Sequence, residues 1–223
     1  MIIPEEGSLL LVNKPKSWTS FDVVNKLRYL LKIKKIGHAG TLDPLASGLL
    51  LIGVGKYTKK LESLQGLDKT YEGIIEIGKT TPSFDLETPF DSSSDYMHVT
   101  PQQIAVAVEA LTGELDQIPP IYSAIKVNGQ RAYKSARKNE IIELKSRKIK
   151  VYKFEITRVH LPEIHFRVVC SKGTYIRSLA KDLGEKLGVG GYLKKLVRTQ
   201  VGGYKLENAF QLEQLVDQIN SEK

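Results

Sequence analysis

The chain has 223 residues, of which 41% are hydrophobic and 26% are charged, so it is long enough to bury a substantial core as one domain. Its one cysteine excludes an internal disulfide, and no Cys/His cluster has the spacing of a zinc site. No apolar run reaches the roughly 20 residues of a bilayer span, and the first residues lack the pattern of a signal peptide. We therefore expect a cytoplasmic globular protein without a metal site.

The charge is unevenly distributed along the chain. The net charge is +8, which indicates a polyanionic partner or, as the simpler alternative, a solvated basic surface. The segment Gln117–Lys150 has nine Lys and Arg against two Glu, whereas Thr80–Asp116 has seven Asp and Glu and no Lys or Arg. These adjacent stretches of +7 and −7 favour an element that faces a partner over a uniform coat of charge.

The first quarter of the chain predicts a strand, a helix and a second strand. The short apolar run Ser8–Val12 is typical of a buried strand. Thr19 and Asp22 have the spacing of a capping box, and the apolar residues that follow recur on one helical face. A glycine-rich loop then leads into a second buried strand, Leu49–Val54.

The middle of the chain predicts one strand and one well-marked helix. The run Tyr71–Ile77 is typical of a strand, and residues 80–100 are polar and predicted as loop. A helix is expected between Pro101 and Leu111, because Thr100 and Gln103 form a second capping box and Pro101 occupies the first helical position.

The remaining elements complete an α+β pattern. Residues 117–148 have no long periodicity, although Ala132–Lys138 predicts a turn or two of helix. The further predicted strands are Ile149–Thr157, Ile164–Cys170 and Leu196–Val201, and the further predicted helices are Tyr175–Leu187 and Asn208–Ile219. Because strands and helices do not alternate strictly, we expect an α+β fold with a mixed, largely antiparallel central sheet.

Asp43 is the first candidate for chemistry. It lies in a loop of twelve residues that contains Gly37, Gly40, Gly48 and Pro44, so the backbone there must be irregular and can present a carboxylate into a cleft. The alternative is an ordinary Asp-Pro turn in which the carboxylate caps its own backbone. The loop is not a phosphate-binding loop of the Walker type, since no Gly-Lys-Ser/Thr follows.

Five motifs occur in collinear order from about Gly7 to Tyr204, namely GHAGTLDPLASGLL, KTYEG, PPIYSAIKVNGQRAYKSAR, CSKGTYIRSLAKDLGEKLG and LVRTQVGGY. Together they resemble the TruB-type tRNA pseudouridine synthases. The resemblance implies isomerisation of uridine to pseudouridine, at uridine 55 in the T loop of tRNA, without a metal or an organic cofactor. It also implies the pseudouridine synthase catalytic fold.

The resemblance also assigns residues to the site. Asp43 matches the catalytic aspartate, and Arg177 matches the arginine that keeps it ionised. Tyr71 matches a tyrosine that stacks on the target base, while Leu196 and Tyr175 match residues of the pocket. A carboxylate beside C1′ can attack the sugar or remove a proton from C2′, and the sequence leaves both routes open.

The target base lies inside a folded RNA loop and must be flipped out. His38 matches a family histidine that enters the T loop, and Asp85 matches an aspartate near the pocket. The basic segment, about residues 117–148, matches an insertion called the thumb that closes over the RNA stem-loop. Its cationic and aromatic side chains are typical of RNA-binding surfaces, and we expect contacts from Lys126, Arg131, Tyr133 and Arg137.

The sequence departs from the family pattern in three places. Ala39 replaces a threonine, and the run TTPSFDLE replaces the common one around Asp85. The chain stops at Lys223, where many relatives continue into an RNA-binding PUA domain, so we expect a single catalytic domain over 1–223, monomeric and with weaker acceptor-stem contact. Two alternatives remain: a relative that acts on another structured RNA, such as the guide-RNA-dependent branch, and an RNA-binding protein that has lost catalysis.

Overall fold

The computed structural model describes residues 7–123, 126, 127, 130, 131 and 144–221. The strands are β1 (Ser8–Lys14), β2 (Ile36–Ala39), β3 (Ser47–Val54), β4 (Lys69–Ile77), β5 (Lys79–Thr80), β6 (Ser92–Ser93), β7 (Gly113–Gln117), β8 (Lys126–Val127), β9 (Gln130–Arg131), β10 (Arg147–His160), β11 (Glu163–Cys170), β12 (Gly191–Val201), β13 (Tyr204–Lys205) and β14 (Phe210–Gln211). The α-helices are α1 (Ser20–Leu31), α2 (Leu61–Gln65), α3 (Pro101–Glu109), α4 (Ile176–Lys186) and α5 (Leu212–Ser221), and short 3₁₀ helices span Gly55–Lys60 and Leu206–Asn208.

The chain forms two compact units. The first consists of Met1–Glu72 and Leu196–Lys223, and the second of Gly73–Lys195. The second unit is therefore an insertion in the sequence of the first. Strands β4 and β12 contribute residues to both units.

The sheet of the first unit has the strand order β14-β1-β3-β12, with β2 paired to β3. Strands β1 and β3 are antiparallel, whereas β12 runs parallel to β3. Leu10 and Leu50 lie on the sheet face that packs against the apolar faces of α1 and α5. Leu49 and Leu51 lie on the opposite face, which is also covered, so β3 is buried on both faces and reads as a continuous apolar run.

The second unit has the strand order β12-β4-β11-β10-β7, in which β10 is antiparallel to both of its neighbours. Helix α3 packs against α4 and β10. It begins at the predicted capping box, in which the Thr100 hydroxyl accepts from the Gln103 amide and the Gln103 side chain accepts in return from the Thr100 amide. The predicted α+β fold with a large, mostly antiparallel sheet is confirmed.

The structure corrects several element boundaries. Strand β2 occupies part of the predicted glycine-rich loop, and β7 lies where no element was predicted. The loop 80–100 contains the two-residue pair of β5 and β6. The last helix begins at Leu212 rather than Asn208, because a 3₁₀ turn and β14 precede it. The predicted helical turn Ala132–Lys138 lies outside the described residues. No helix in the described part of the chain is long and apolar enough to cross a membrane.

Candidate active site

The loop that carries Asp43 is held on both sides by buried neighbours. The Leu42 amide donates to the Ser20 hydroxyl at 2.9 Å, and that hydroxyl lies 3.2 Å from the Leu42 carbonyl oxygen. On the other side the Ala46 amide donates to the Asp43 carbonyl oxygen at 3.1 Å. Leu42 and Ala46 are each 3% exposed, whereas Asp43 between them is only partly buried. The sequence therefore folds into a rigid turn that presents one carboxylate.

Lys14 lies at the end of β1 and is fully buried beside this loop. Its ammonium donates to the carbonyl oxygens of Trp18 at 2.6 Å, Pro15 at 2.9 Å and Pro44 at 3.4 Å. Burial lowers the pKa of Lys14 to about 8, although the negative charge of Asp43 opposes the shift. Attraction between Lys14 and Asp43 stabilises the charged form of each group. Sequence reasoning missed this residue, because it treated Lys14-Pro15 only as the end of a strand.

Arg198 is a second buried cation of the loop, with 1% of its surface exposed. Its Nε donates to the Leu49 carbonyl oxygen at 2.8 Å, and its Nη2 donates to the Gly40 carbonyl oxygen at 3.1 Å. The backbone of Arg198 pairs with Gly48, where a Cβ would lie only 2.4 Å from the Arg198 carbonyl oxygen. Arg198 thus ties the start of the Asp43 loop to the strand that follows it. In the sequence, only its place two residues after the predicted pocket residue Leu196 suggests that Arg198 lies near the site.

His38 lies on β2, opposite Ile52 of β3, and is half-buried. Burial is the largest cause that lowers its pKa, and the positive charge of Arg198 lowers it further, while the Gly40 backbone opposes both. The neutral form of the imidazole is therefore favoured. A neutral ring can be inserted into a nucleic-acid loop at a smaller desolvation cost than a charged one.

Tyr71 and Leu196 lie on the neighbouring strands β4 and β12, and each is 8% exposed. The Thr199 hydroxyl contacts the Thr70 carbonyl oxygen at 3.4 Å and helps to keep these strands together. The first unit thus holds four of the predicted site residues: His38, Asp43, Tyr71 and Leu196.

Arg177 belongs to the second unit, where it is the second residue of α4 and is 3% exposed. Its guanidinium donates to the carbonyl oxygens of Ser83 at 3.2 Å and Tyr122 at 2.9 Å. It also forms an ion pair with Asp85, 3.6 Å from Nη1 to Oδ2. The structure therefore gives Arg177 a buried acidic partner in its own unit, and the pairing of Arg177 with Asp43 stays a prediction.

Asp85 is 4% exposed and is fixed by its own loop. Its Oδ1 accepts from the Glu87 amide at 2.9 Å, and its carbonyl oxygen accepts from the hydroxyls of Thr81 and Ser83. The hydroxyl-rich run that departs from the family pattern thus orders the turn that presents Asp85 to Arg177. Its predicted role near the RNA stays a prediction.

Tyr175 precedes Arg177 and is held by Gln117, a residue that the sequence did not suggest for the site. The Gln117 side chain accepts from the Tyr175 amide at 2.7 Å and donates to the Tyr175 carbonyl oxygen at 3.0 Å. The Arg147 guanidinium lies over the Tyr175 ring, 4.4 Å from its centroid. The first contact fixes the backbone of Tyr175, and the second restricts its ring.

The thumb residues are only partly described. Lys126 lies opposite Arg131 in the short antiparallel pair of β8 and β9. Tyr133 and Arg137 lie outside the described residues. Within the described ranges there is no group of three His, Cys, Asp or Glu side chains that could hold a metal ion.

Two family models match this chain and identify the protein family to which it belongs. A family model described as "TruB family pseudouridylate synthase (N terminal domain)" matches residues 28–176, and one described as "tRNA pseudouridylate synthase B C-terminal domain" matches residues 177–223. The chain belongs to the TruB family of pseudouridylate synthases. The resemblance predicted from the motifs and the prediction of an enzyme of this class are confirmed. The boundary between the two family models falls inside α4 and does not coincide with the two structural units.

Curated relatives match nearly the whole chain. A protein of Flavobacterium johnsoniae named "tRNA pseudouridine synthase B" is 54% identical over 214 residues, which cover 93% of each chain. A protein of Chlorobaculum tepidum with the same name is 46% identical, and the match covers 98% of this chain and 93% of that protein.

Among solved structures, the chain is similar to one described as "Crystal Structure of a Cbf5-Nop10-Gar1 Complex", with a TM-score of 0.75 and 31% identity. A second is described as "Structure of H/ACA RNP bound to a substrate RNA containing 2'-deoxyuridine", with a TM-score of 0.72 and 28% identity. The matches cover 96% of this chain but only 54% and 53% of those chains.

Proposed function

We propose that the protein converts uridine to pseudouridine in tRNA, at position 55 of the T loop, with Asp43 as the catalytic group. The observation that carries the proposal is the Asp43 loop, which presents one carboxylate while Lys14 and Arg198 hold its flanks from the interior. The relatives named tRNA pseudouridine synthase B support tRNA as the substrate, because they match almost end to end at up to 54% identity. The solved structures described as an H/ACA RNP and a Cbf5-Nop10-Gar1 complex are more distant, at 28% and 31% identity, which argues against the guide-dependent alternative.

The reaction is balanced within one nucleotide. The C1′–N1 bond breaks, the uracil turns, a C1′–C5 bond forms, C5 loses a proton and N1 gains one. No oxidant, reductant or co-substrate is required, so the proposal includes no cofactor. Asp43 either attacks C1′ or takes the C2′ proton, and the ionised form that both routes need is favoured by the neighbouring Lys14 cation.

The other residues keep the detached base in place. We assign Tyr71 to stacking on the uracil and to the transfer of the C5 proton, and Leu196 and Tyr175 to the walls of the pocket. Arg177 would stabilise the ionised Asp43. A pocket lined by aromatic and aliphatic groups excludes water and retains the base while it turns.

Base flipping and RNA binding are assigned to the remaining residues. His38 would enter the T loop, and Asp85, which also pairs with Arg177, would contact the flipped region near the pocket. The thumb, residues 117–148, would bind the stem-loop through the side chains of Lys126, Arg131, Tyr133 and Arg137. The protein would act as a monomer in the cytoplasm, without an obligate protein partner.

The test uses an unmodified tRNA transcript with tritium at C5 of uridine, since pseudouridine formation releases that hydrogen. We expect release equivalent to one uridine, mapped to position 55. Asp43→Asn should abolish release and change the Kd for tRNA by less than about twofold. The control is Asp68→Asn, an exposed carboxylate of the same unit, which should remain active.

Three outcomes would contradict the proposal. Release at another position would refute uridine 55, and full activity of Asp43→Asn would remove Asp43 from the mechanism. Tight tRNA binding without any release would favour a protein that binds RNA and has lost catalysis.

A further inference from the structure

The first unit contains a second strongly basic region that the thumb does not include. Between Val23 and Lys60 the sequence has eight Lys and Arg and a single acidic residue, Asp43. The net charge of this stretch, +7, equals that of the segment Gln117–Lys150. All seven of its lysines are exposed, and Lys60 lies over the Tyr57 ring. The other six are called the basic edge here: Lys26, Lys32, Lys34, Lys35, Lys56 and Lys59.

Backbone contacts place the lysines of the basic edge next to one another. Lys32 caps the C-terminus of α1, and Lys34 and Lys35 follow directly before β2. The Gly55 amide donates to the Lys35 carbonyl oxygen at 2.8 Å, which brings the 3₁₀ helix with Lys56 and Lys59 alongside. Residues three apart in a 3₁₀ helix share a face, so Lys56 and Lys59 project from the same side.

Exposed aromatic rings accompany these cations on α1. Tyr29 is 80% exposed and lies three residues from both Lys26 and Lys32. Phe21 is 55% exposed and stacks under the Arg28 guanidinium, 5.4 Å from the ring centroid. Lysines for phosphates and exposed aromatic rings for bases are the combination that binds RNA.

The fold itself does not explain this concentration of charge. Cations near the C-terminus of α1 interact favourably with the helix dipole, which accounts for Lys32 but not for Lys56 and Lys59. Within the part of the chain that the structure describes, none of the six lysines forms an ion pair. Their mutual repulsion is therefore left for a polyanion to relieve.

We propose that the basic edge is a second RNA-binding surface, which contacts the phosphates that flank the stem-loop held at Asp43. Strand β2 connects the basic edge to the loop that carries Asp43, since it begins directly after Lys35 and ends just before Gly40. Its four residues span about 13 Å at the rise per residue of a β-strand. We expect an RNA arm whose flipped nucleotide reaches Asp43 to extend along this strand to the basic edge. The inference rests on the proposed function only for the identity of the RNA.

The test removes three lysines of the edge together, by Lys34→Gln, Lys35→Gln and Lys59→Gln. The Kd for the full tRNA transcript is measured between about 50 and 300 mM salt. Each lost lysine–phosphate contact reduces the slope of log K against log salt by roughly 0.7–0.9, so the slope should fall by about 2–3 and the Kd near 100 mM should rise at least about tenfold. The release of tritium at saturating tRNA should remain unchanged.

The matched control removes three other exposed lysines, by Lys153→Gln, Lys186→Gln and Lys205→Gln. Two of them already pair with carboxylates, at 2.6 Å for Lys153 and 3.3 Å for Lys205. The control should keep the salt slope of the unmodified protein. Thermal unfolding of both triple variants checks that each remains folded.

The outcomes separate this inference from the proposed function. A reduced slope in a protein that forms no pseudouridine would support the basic edge and refute the function. A slope equal to that of the control in an active enzyme would refute the basic edge alone. A further outcome is that the edge variant keeps the salt slope of the control but no longer sediments with vesicles of anionic phospholipid that bind the natural protein. That result would assign the edge to a membrane surface and overturn the inference.

Discussion

Arg177 and Asp85 form an ion pair from which water is almost completely excluded, with 3.6 Å between Nη1 and Oδ2. The two side chains are 3% and 6% exposed. Because Asp85→Asn removes a negative charge that compensates the buried Arg177 guanidinium, it should lower the free energy of unfolding by about 2–4 kcal/mol. Urea unfolding measures the change, and Glu109→Gln, at an exposed position of α3, serves as the control. If Asp85→Asn and the control are equally stable, the pair does not stabilise the fold.

Lys14 should make stability depend on pH in the alkaline range. Its pKa is about 8 in the folded protein and near 10.5 in the unfolded chain, so between these values the unfolded state binds more protons. The contribution of Lys14 to the free energy of unfolding therefore rises by about 3 kcal/mol in total between pH 8 and 10.5. The difference in unfolding free energy between the natural protein and Lys14→Met should show this rise. Lys16→Met, at an exposed position, should show none.

Arg198 acts as a positioning residue, since its guanidinium contacts the carbonyl oxygens of Leu49 and Gly40. Lysine keeps the charge but cannot span both oxygens. Arg198→Lys should lower kcat at least about tenfold and leave the Kd for tRNA within about twofold, because the phosphate contacts are assigned to the thumb and the basic edge. Arg158→Lys, on the surface, is the control. An unchanged kcat in Arg198→Lys would show that the charge alone suffices.

Gly48 and Gly113 offer a matched pair of glycines. Both have a positive φ, 110° and 105°. A Cβ at Gly48 would lie 2.4 Å from the Arg198 carbonyl oxygen, whereas a Cβ at Gly113 meets nothing within 4 Å. Gly113→Ala should cost about 1–2 kcal/mol of backbone strain, and Gly48→Ala at least about 2 kcal/mol more. Equal losses in chemical unfolding would mean that β3 and β12 can move apart.

The thumb proposal predicts a separate salt effect. Replacement of Lys126, Arg131 and Arg137 by Gln should weaken tRNA binding and flatten its salt dependence. Filter binding over the same salt range measures both quantities. A slope identical to that of the natural protein would refute the assignment of this segment.

The sequence predicts the start of a helix correctly where the residues that form the cap are close together in the chain. The two capping boxes, at Thr19 and Thr100, form as predicted, because both partners of each hydrogen bond lie within three residues. Strand β2 (IGHA) and strand β7 (GELDQ) could not be recognised, since they lack an apolar alternation and are fixed by pairing with β3 and β10. Non-local pairing decides such short strands.

In the candidate site, too, the sequence predicts the residues with local signals and misses those that depend on distant contacts. Asp43 was identified because its loop carries an unusual pattern and a family resemblance. The buried cations Lys14 and Arg198 were missed, because burial of a charge depends on carbonyl oxygens that distant residues supply. Gly40, for example, lies 158 residues from the arginine that it accepts from.

That separation has a consequence for synthesis on the ribosome. Residues 1–72 cannot complete their unit until residues 196–223 have been made, because β12 pairs with β3 and β14 with β1. Contacts between such remote segments form late, since the whole insertion must be closed into a loop first. The nascent chain thus leaves Ser47 and Gly48 at the start of β3 without β12 during this time, and the aspartate loop acquires its contact with Arg198 only after residue 198 has been made.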